Sequence, residues 1–251
     1  MPEKKVKDQL VVGIRPVLEA IRAGKEINKV FLKNGSRSGL FDEVFQLIRT
    51  NQVPFQFVPI EKLNRMSGAN HQGIIAQLSV IEYKSLEEII QRSYEDGIDP
   101  FIVVLDQITD VRNFGAIART AECAGAHAIL IPAKGSVTIS ADAIKTSAGA
   151  LNRLAVCRSD NLEASIKYMR ESGICIIAST EKASDSYYNS DLKGPVALIM
   201  GSEESGIEQR LLKLTDRLVK IPLSGKVDSL NVSVACGILA FEIVRQRTFT
   251  V

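Results

Sequence analysis

Three stretches of this chain set glycine beside polar side chains directly after an apolar run. Residues 107–115 follow FIVVLD, residues 201–206 follow VALIM, and residues 223–231 follow VKI. Each apolar run reads as a buried strand. Ligands in open α/β sheets bind beyond the carboxyl ends of strands, and glycine lets a ligand come close to the backbone. A single loop of this kind reads as a tight turn; three of them, each at a strand end, describe a pocket. The second loop, GSEESG, narrows the ligand. Glu203 and Glu204 stand where a pyrophosphate needs backbone donors, so like charge disfavours a dinucleotide. No GxGxxG fingerprint follows the first strand of this part, and no Walker A sequence is present. A nucleoside with a sulfonium cation and no phosphate tolerates such carboxylates. These chemical grounds point to S-adenosylmethionine.

The elements that must hold these loops fall into two α/β parts. Residues 100–251 alternate strand and helix: FIVVLD, HAILI, ICIIAS, VALIM and LVKIP are strands, with helices between them. That alternation predicts a parallel sheet with helices on both faces. A helix is expected from Ala116 to Ala124, stopped at Gly125, which leaves Asn113 in the loop before it. The last helix follows Ser229, which occupies an N-cap position. Val232, Val234, Ala235, Ile238, Leu239, Phe241, Ile243 and Val244 leave this helix almost no polar face before Arg245. Such a helix belongs in a large core or at a subunit interface. Residues 10–80 also alternate helix and strand, which predicts a small α/β domain. Residues 81–99 read as a linker with one helix, and residues 1–9 as a flexible basic tail.

Charge is uneven along the 251 residues. The net charge is only +2, yet residues 1–80 carry 12 Lys+Arg against 7 Asp+Glu. The positive excess at that end suits an RNA or phosphate partner, or simply a solvated surface. Cys123, Cys157, Cys175 and Cys236 are far apart and lack a CxxC pair, so reduced core thiols are expected and no metal site is suggested. No run of 18 uninterrupted apolar residues and no apolar leader is visible, which predicts a cytoplasmic protein.

Three ordered motifs resemble those of the SpoU/TrmH family of RNA ribose 2′-O-methyltransferases, in the SPOUT superfamily. They are DQITDVRNFGAIARTAECAGA, LIMGSEESGI and IPLSGKVDSLNVSVACGILAFE. VVGIRPVLEAI and HQGIIA resemble the small ribosomal-protein-like substrate-binding domain of bacterial members. The resemblance spans nearly the whole chain and is strongest to enzymes that methylate a guanosine of 23S ribosomal RNA. It implies a C-terminal trefoil-knotted α/β domain, S-adenosylmethionine as cofactor, and a homodimer with the active site near its interface. A transfer-RNA enzyme and a non-catalytic RNA-binding assembly factor are the competing readings.

The resemblance assigns Asn113, Arg119, Glu203, Ser229 and Asn231 to the catalytic centre, and Gly201, Ile221 and Leu230 to the cofactor. Arg is a poor proton acceptor, so orientation and stabilisation of a developing alkoxide suit Arg119 better than base duty. Its plain alternative is an ion pair with Glu122 one turn on. Glu203 is expected to shape the pocket and to pair with Arg119 or the substrate. Asn231 is expected to offer free amide groups to a ribose or cofactor edge. The family's proline after the motif-one aspartate is replaced here by Val111, followed by Arg112. That change predicts a looser loop before Asn113. His127 reads as structural; His71 sits in a loop that could touch RNA.

Overall fold

The computed structural model describes residues 10–35 and 39–248. The basic tail expected at residues 1–9 lies outside the described residues. Two compact units are present. One runs to Glu82 and includes Thr138–Ala141; the other takes in Tyr83–Val137 and the chain from Asp142 onwards.

The first unit runs β1 (Leu10–Val12), α1 (Ile14–Arg22), β2 (Ile27–Lys33), α2 (Gly39–Thr50), β3 (Phe55–Val58), α3 (Ile60–Met66) and β4 (Ile74–Leu78). Its sheet has the order β1-β4-β2-β3. β2 and β3 pair in parallel, and the other two pairs are antiparallel. Period-two alternation splits β2 between two cores. Val30 and Leu32 meet Val17, Ile21, Val44 and Ile48 of α1 and α2. Phe31 meets Leu63 of α3 with Val58 and Ile75. His71 is buried, and its ring is pinned at both nitrogens. Nδ1 accepts from the Gly73 amide at 3.0 Å, and Nε2 lies 2.8 Å from Asn64 Oδ1. It fixes the loop before β4, which is a structural duty.

The second unit contains α4 (Leu86–Glu95), β5 (Phe101–Leu105), α5 (Val111–Cys123), β6 (Ala128–Pro132), α6 (Ala141–Thr146) and β7 (Ala155–Ser159). It continues with α7 (Leu162–Glu171), β8 (Cys175–Ser179), β9 (Asp185–Ser186), β10 (Val196–Met200), α8 (Gln209–Leu212), β11 (Arg217–Lys220) and α9 (Val232–Thr248). Seven parallel strands follow the order β7-β6-β5-β10-β8-β11-β9. Ile102, Val104, Leu130, Ile176 and Ile199 face Leu86 and Ile90 of α4 and Ile166 and Met169 of α7. Residues read from sequence as a linker therefore contribute a helix to this core. α5 and α9 pack against each other, with Phe114, Ile117, Cys236 and Leu239 buried.

Side chains fasten the far end of α9. The Arg247 guanidinium donates to the carbonyls of Asp99, Pro100 and Gly194. Gln246 accepts from the Leu192 amide at 2.8 Å and donates to the Ser190 carbonyl at 3.0 Å. Of the four cysteines only Cys157 and Cys236 are core thiols, and burial pushes both up to about 12. Cys123 is exposed and Cys175 half-buried, because the helix and strand that carry them turn those positions outward. His127 is structural: its Nδ1 accepts from the Phe101 amide at 3.0 Å, and burial lowers its pKa. Among the described residues, no helix is long and apolar enough to cross a membrane.

Candidate active site

The three glycine-containing loops meet at the carboxyl end of the seven-stranded sheet. Their geometry starts with the first turn of α5. Asp110 caps this helix, its Oδ1 accepting from the amides of Arg112 at 2.9 Å and Asn113 at 2.8 Å. Val111 is thus the first helical residue, the position where proline is tolerated because its missing N–H has no helical role. Replacing proline does not loosen this segment, since the cap fixes it. Asn113 lies inside the helix, not ahead of it.

Gly115 explains why the helix was expected to begin later. It looks like a loop residue, yet a Cβ there would stand 2.2 Å from Thr146 Oγ1. It is a packing glycine within a helix. Gly201 is packed as tightly, against backbone in place of a side chain. A Cβ there would lie 2.2 Å from the Gly206 carbonyl carbon. The loop after β10 folds back on itself, with Ser202 and Gly206 exchanging backbone hydrogen bonds of 3.1 and 3.0 Å. From behind, Asp106 Oδ2 holds the Glu208 amide at 2.7 Å. Burial raises the Asp106 carboxyl above its usual range, and the Glu208 amide opposes that rise. Gln107 donates to the Glu208 carboxylate as well.

Asn231, Asn113 and Glu203 converge from the three loops. Asn231 Nδ2 donates to Asn113 Oδ1 at 2.9 Å and to Glu203 Oε1 at 2.6 Å. Asn113 Nδ2 also reaches Glu203 Oε1 at 3.3 Å, and the Val232 amide does so at 3.4 Å. The other end of Asn231 accepts from Ser233 N at 3.0 Å and Ser233 Oγ at 2.5 Å. Asn231 is therefore the N-cap of α9, two residues beyond the expected Ser229. Its amide is not free for a ligand; both ends are engaged within the protein. Among the described residues Glu203 Oε2 makes no hydrogen bond, so it is the open acceptor of this cluster.

Arg119 does not join them. Six residues along a helix is about 600°, which leaves Arg119 about 120° around α5 from Asn113 and more than a turn along it. It is exposed, and among the described residues it has no hydrogen bond or ion pair. Neither expected partner is there: Glu203 binds Asn231, and Glu122 lies 3.9 Å from Arg153.

A cleft of about 390 Å³ opens beside Glu203. Gly201, Ile221 and Leu230 line it, as do Glu203 and Ser229. The sequence reading missed one wall, residues 179–182 after β8. Apolar Ile221, Leu223 and Leu230 line it together with four acidic residues, Glu181, Glu203, Glu204 and Asp228, against one basic residue, Lys182. This lining fits S-adenosylmethionine: apolar walls for an adenosine, carboxylates for a cationic sulfonium and amine. The tight Gly201 turn brings backbone to the cleft without a side chain in the way. Among the described residues, no group of three or more His, Cys, Asp or Glu side chains is placed to hold a metal ion.

Comparison with known proteins agrees with this arrangement. Residues 100–241 match the model of the SpoU rRNA Methylase family. Residues 10–84 match that of the RNA 2′-O ribose methyltransferase substrate-binding domain. A Bacillus subtilis protein assigned to the TrmH family of tRNA/rRNA methyltransferases is 34% identical over 237 residues, 94% of this chain and 95% of its own. A crystal structure of an RNA 2′-O ribose methyltransferase is 26% identical, with TM-score 0.57, over 97% of this chain and 90% of that one. The SpoU methyltransferase AviRb from Streptomyces viridochromogenes, in complex with the cofactor AdoMet, shares the fold at 23% identity. Its TM-score is 0.60, over 96% of this chain and 91% of that one. With its α/β methylase unit and a separate substrate-binding unit, the chain belongs to the SpoU/TrmH family of RNA ribose 2′-O-methyltransferases.

Proposed function

We propose that this protein methylates the ribose 2′-hydroxyl of a guanosine in 23S ribosomal RNA, with residues 10–80 binding the RNA and residues 100–251 carrying the transfer. The observation behind this reading is the Asn113–Glu203–Asn231 cluster at the rim of the cleft. S-adenosylmethionine, when bound, supplies an electrophilic methyl group. Gly201, Ile221 and Leu230 hold it, and Ser229 at the rim meets the ribose. Asn231 acts by fixing Glu203 and Asn113, so that Glu203 Oε2 is left to orient the substrate. Arg119 engages the RNA phosphate, and its charge stabilises the alkoxide that develops as the 2′-hydroxyl releases its proton to solvent. The chain's main contribution is to hold the hydroxyl oxygen in line for attack.

Arg119 can do this only from a second copy of the chain if its own cluster lies behind the helix. α9 supports such a pairing. Val234 and Phe241, seven residues apart on one stripe, are 51% and 50% exposed, with Ile238 half-buried between them. An apolar stripe of this kind suits a homodimer with the active site near its interface. We also read the C-terminal unit as a trefoil knot in which α9 passes through a loop, and the protein as cytoplasmic.

Mapping 2′-O-methylation in ribosomal and transfer RNA from cells lacking the protein tests the reading. One guanosine of 23S RNA is expected to lose its mark. Loss confined to transfer RNA would select that substrate instead. No loss in either, with no calorimetric binding of S-adenosylhomocysteine, would leave an assembly factor.

A further inference from the structure

The free edge of the four-stranded sheet carries an aromatic patch that the methylase site does not use. β3 is the edge strand, and its register pairs Phe55 with Val30 and Phe57 with Leu32. Paired residues share a face, so both phenylalanines lie on the side covered by α2. From α2, the Phe45 ring meets both of them. The Phe45–Phe55, Phe45–Phe57 and Phe55–Phe57 ring centroids are 5.3, 5.8 and 5.9 Å apart. Two of the three contacts are edge-to-face, at 80° and 85°. Each edge-to-face contact covers a single face of one of its two rings. Phe55 and Phe57 remain 40% and 46% exposed.

An exposed apolar edge strand invites aggregation, and proteins usually blunt it with charge. Here charge does not do so: β3 is short and lies between Pro54 and Pro59, and residues 44–60 contain no carboxylate. Around the rings this stretch instead places exposed Gln46, Arg49 and Gln52. Arg49 follows Phe45 by one helical turn, on the same side of α2. Exposed rings, side-chain amides and the Arg49 guanidinium, in a unit that matches an RNA substrate-binding family model, form a surface that suits unpaired bases on a phosphate backbone, while exposed Asp42 stands one turn before Phe45 on the same side of α2.

We propose that Phe45, Phe55 and Phe57 form a stacking platform for unpaired bases of the RNA substrate. This rests on the reading above that the substrate is RNA, and it adds that the first unit grips single-stranded nucleotides. RNA sequence is read chiefly where bases are unstacked, and aromatic side chains are the usual receivers.

The test uses the full chain, with a fluorescein-labelled twelve-nucleotide oligouridylate and a duplex of equal length as probes. Fluorescence anisotropy should show Phe57→Ala weakening single-strand binding roughly ten- to a hundredfold, the range expected for one lost base stack. Duplex binding should change less than threefold. Phe57→Trp should restore single-strand affinity, which a purely structural role for the ring would not. In methyl transfer to RNA from cells lacking the protein, Phe57→Ala should raise KM far more than it lowers kcat. Equal binding of the single strand by Phe57→Ala and the wild type would overturn the proposal. So would unchanged RNA binding with altered self-association in sedimentation, since the patch would then be a protein contact. Calorimetric titration with S-adenosylhomocysteine separates the two levels. A Phe57→Ala protein that binds it normally has lost only the platform, whereas a wild type that binds none refutes the methylase reading itself.

Discussion

Around Asn113, helix α5 is engaged with its surroundings; two turns on, at Arg119, it is bare. On the first side an aspartate caps the helix and two amides and a carboxylate interlock. On the second a guanidinium stands in solvent without a partner among the described residues. Both residues belong to one motif, NFGAIAR, and a straight helix between them forbids their meeting. In the proposed mechanism the two belong to one reaction centre, and a twofold-related copy is the economical way to join them.

Mixing variants breaks or sharpens this contrast most strongly. Arg119→Ala and Asn231→Ala should each lower methyl transfer at least a hundredfold on their own, the scale of losing one transition-state contact. Co-refolded together they should regain activity, because one site of each mixed dimer has both residues intact. Phe241→Asp on both chains should abolish that recovery. If mixing restores nothing while mixed dimers form, Arg119 serves its own cluster and the contrast between the two sides fails. A smaller effect is expected on the engaged side. Gly201→Ala must displace the Gly206 backbone, costing about 1–3 kcal/mol of stability, with at least tenfold weaker S-adenosylhomocysteine binding by calorimetry. The smallest concerns α9 beyond the site. Arg245 donates to Glu242 and holds its carboxyl below the usual range. Such a contribution is full above the unfolded pKa and fades as pH falls through the lower folded value. Glu242→Gln should therefore destabilise by less than about 1 kcal/mol at pH 7, since Arg245 is half-exposed. The difference should shrink as pH falls below the ordinary carboxylate range in denaturant titrations.

Much of the architecture was legible in the residues because the strands of the large sheet are uninterrupted apolar runs. FIVVLD and VALIM announce themselves as buried parallel strands. What was misread shares one cause: a residue type with two uses. Gly115 suggested a loop but serves close packing on Thr146. Ser229 suggested a cap, yet Asn231, an equally good capping residue two places on, takes the role because it also reaches Glu203. Residues 179–182 gave no signal, since nothing in a Ser-Thr-Glu-Lys turn marks a cleft wall. The short strand β9 was missed for lack of apolar content; it is only Asp185–Ser186. Arg119 was placed correctly on a helix, but its distance from Glu203 depends on where that helix starts.

The fastening of α9 has a consequence for motion. At its far end Gln246 and Arg247 tie the helix to the backbone of Ser190, Leu192, Gly194, Asp99 and Pro100. At its near end, among the described residues, Asn231 and Glu203 supply the side-chain hydrogen bonds to the first turn, and both belong to the proposed reaction centre. Local opening is cheapest where such ties are fewest. The helix therefore frays from the reaction centre outward, and a molecule that fills the cleft quiets the one end free to move.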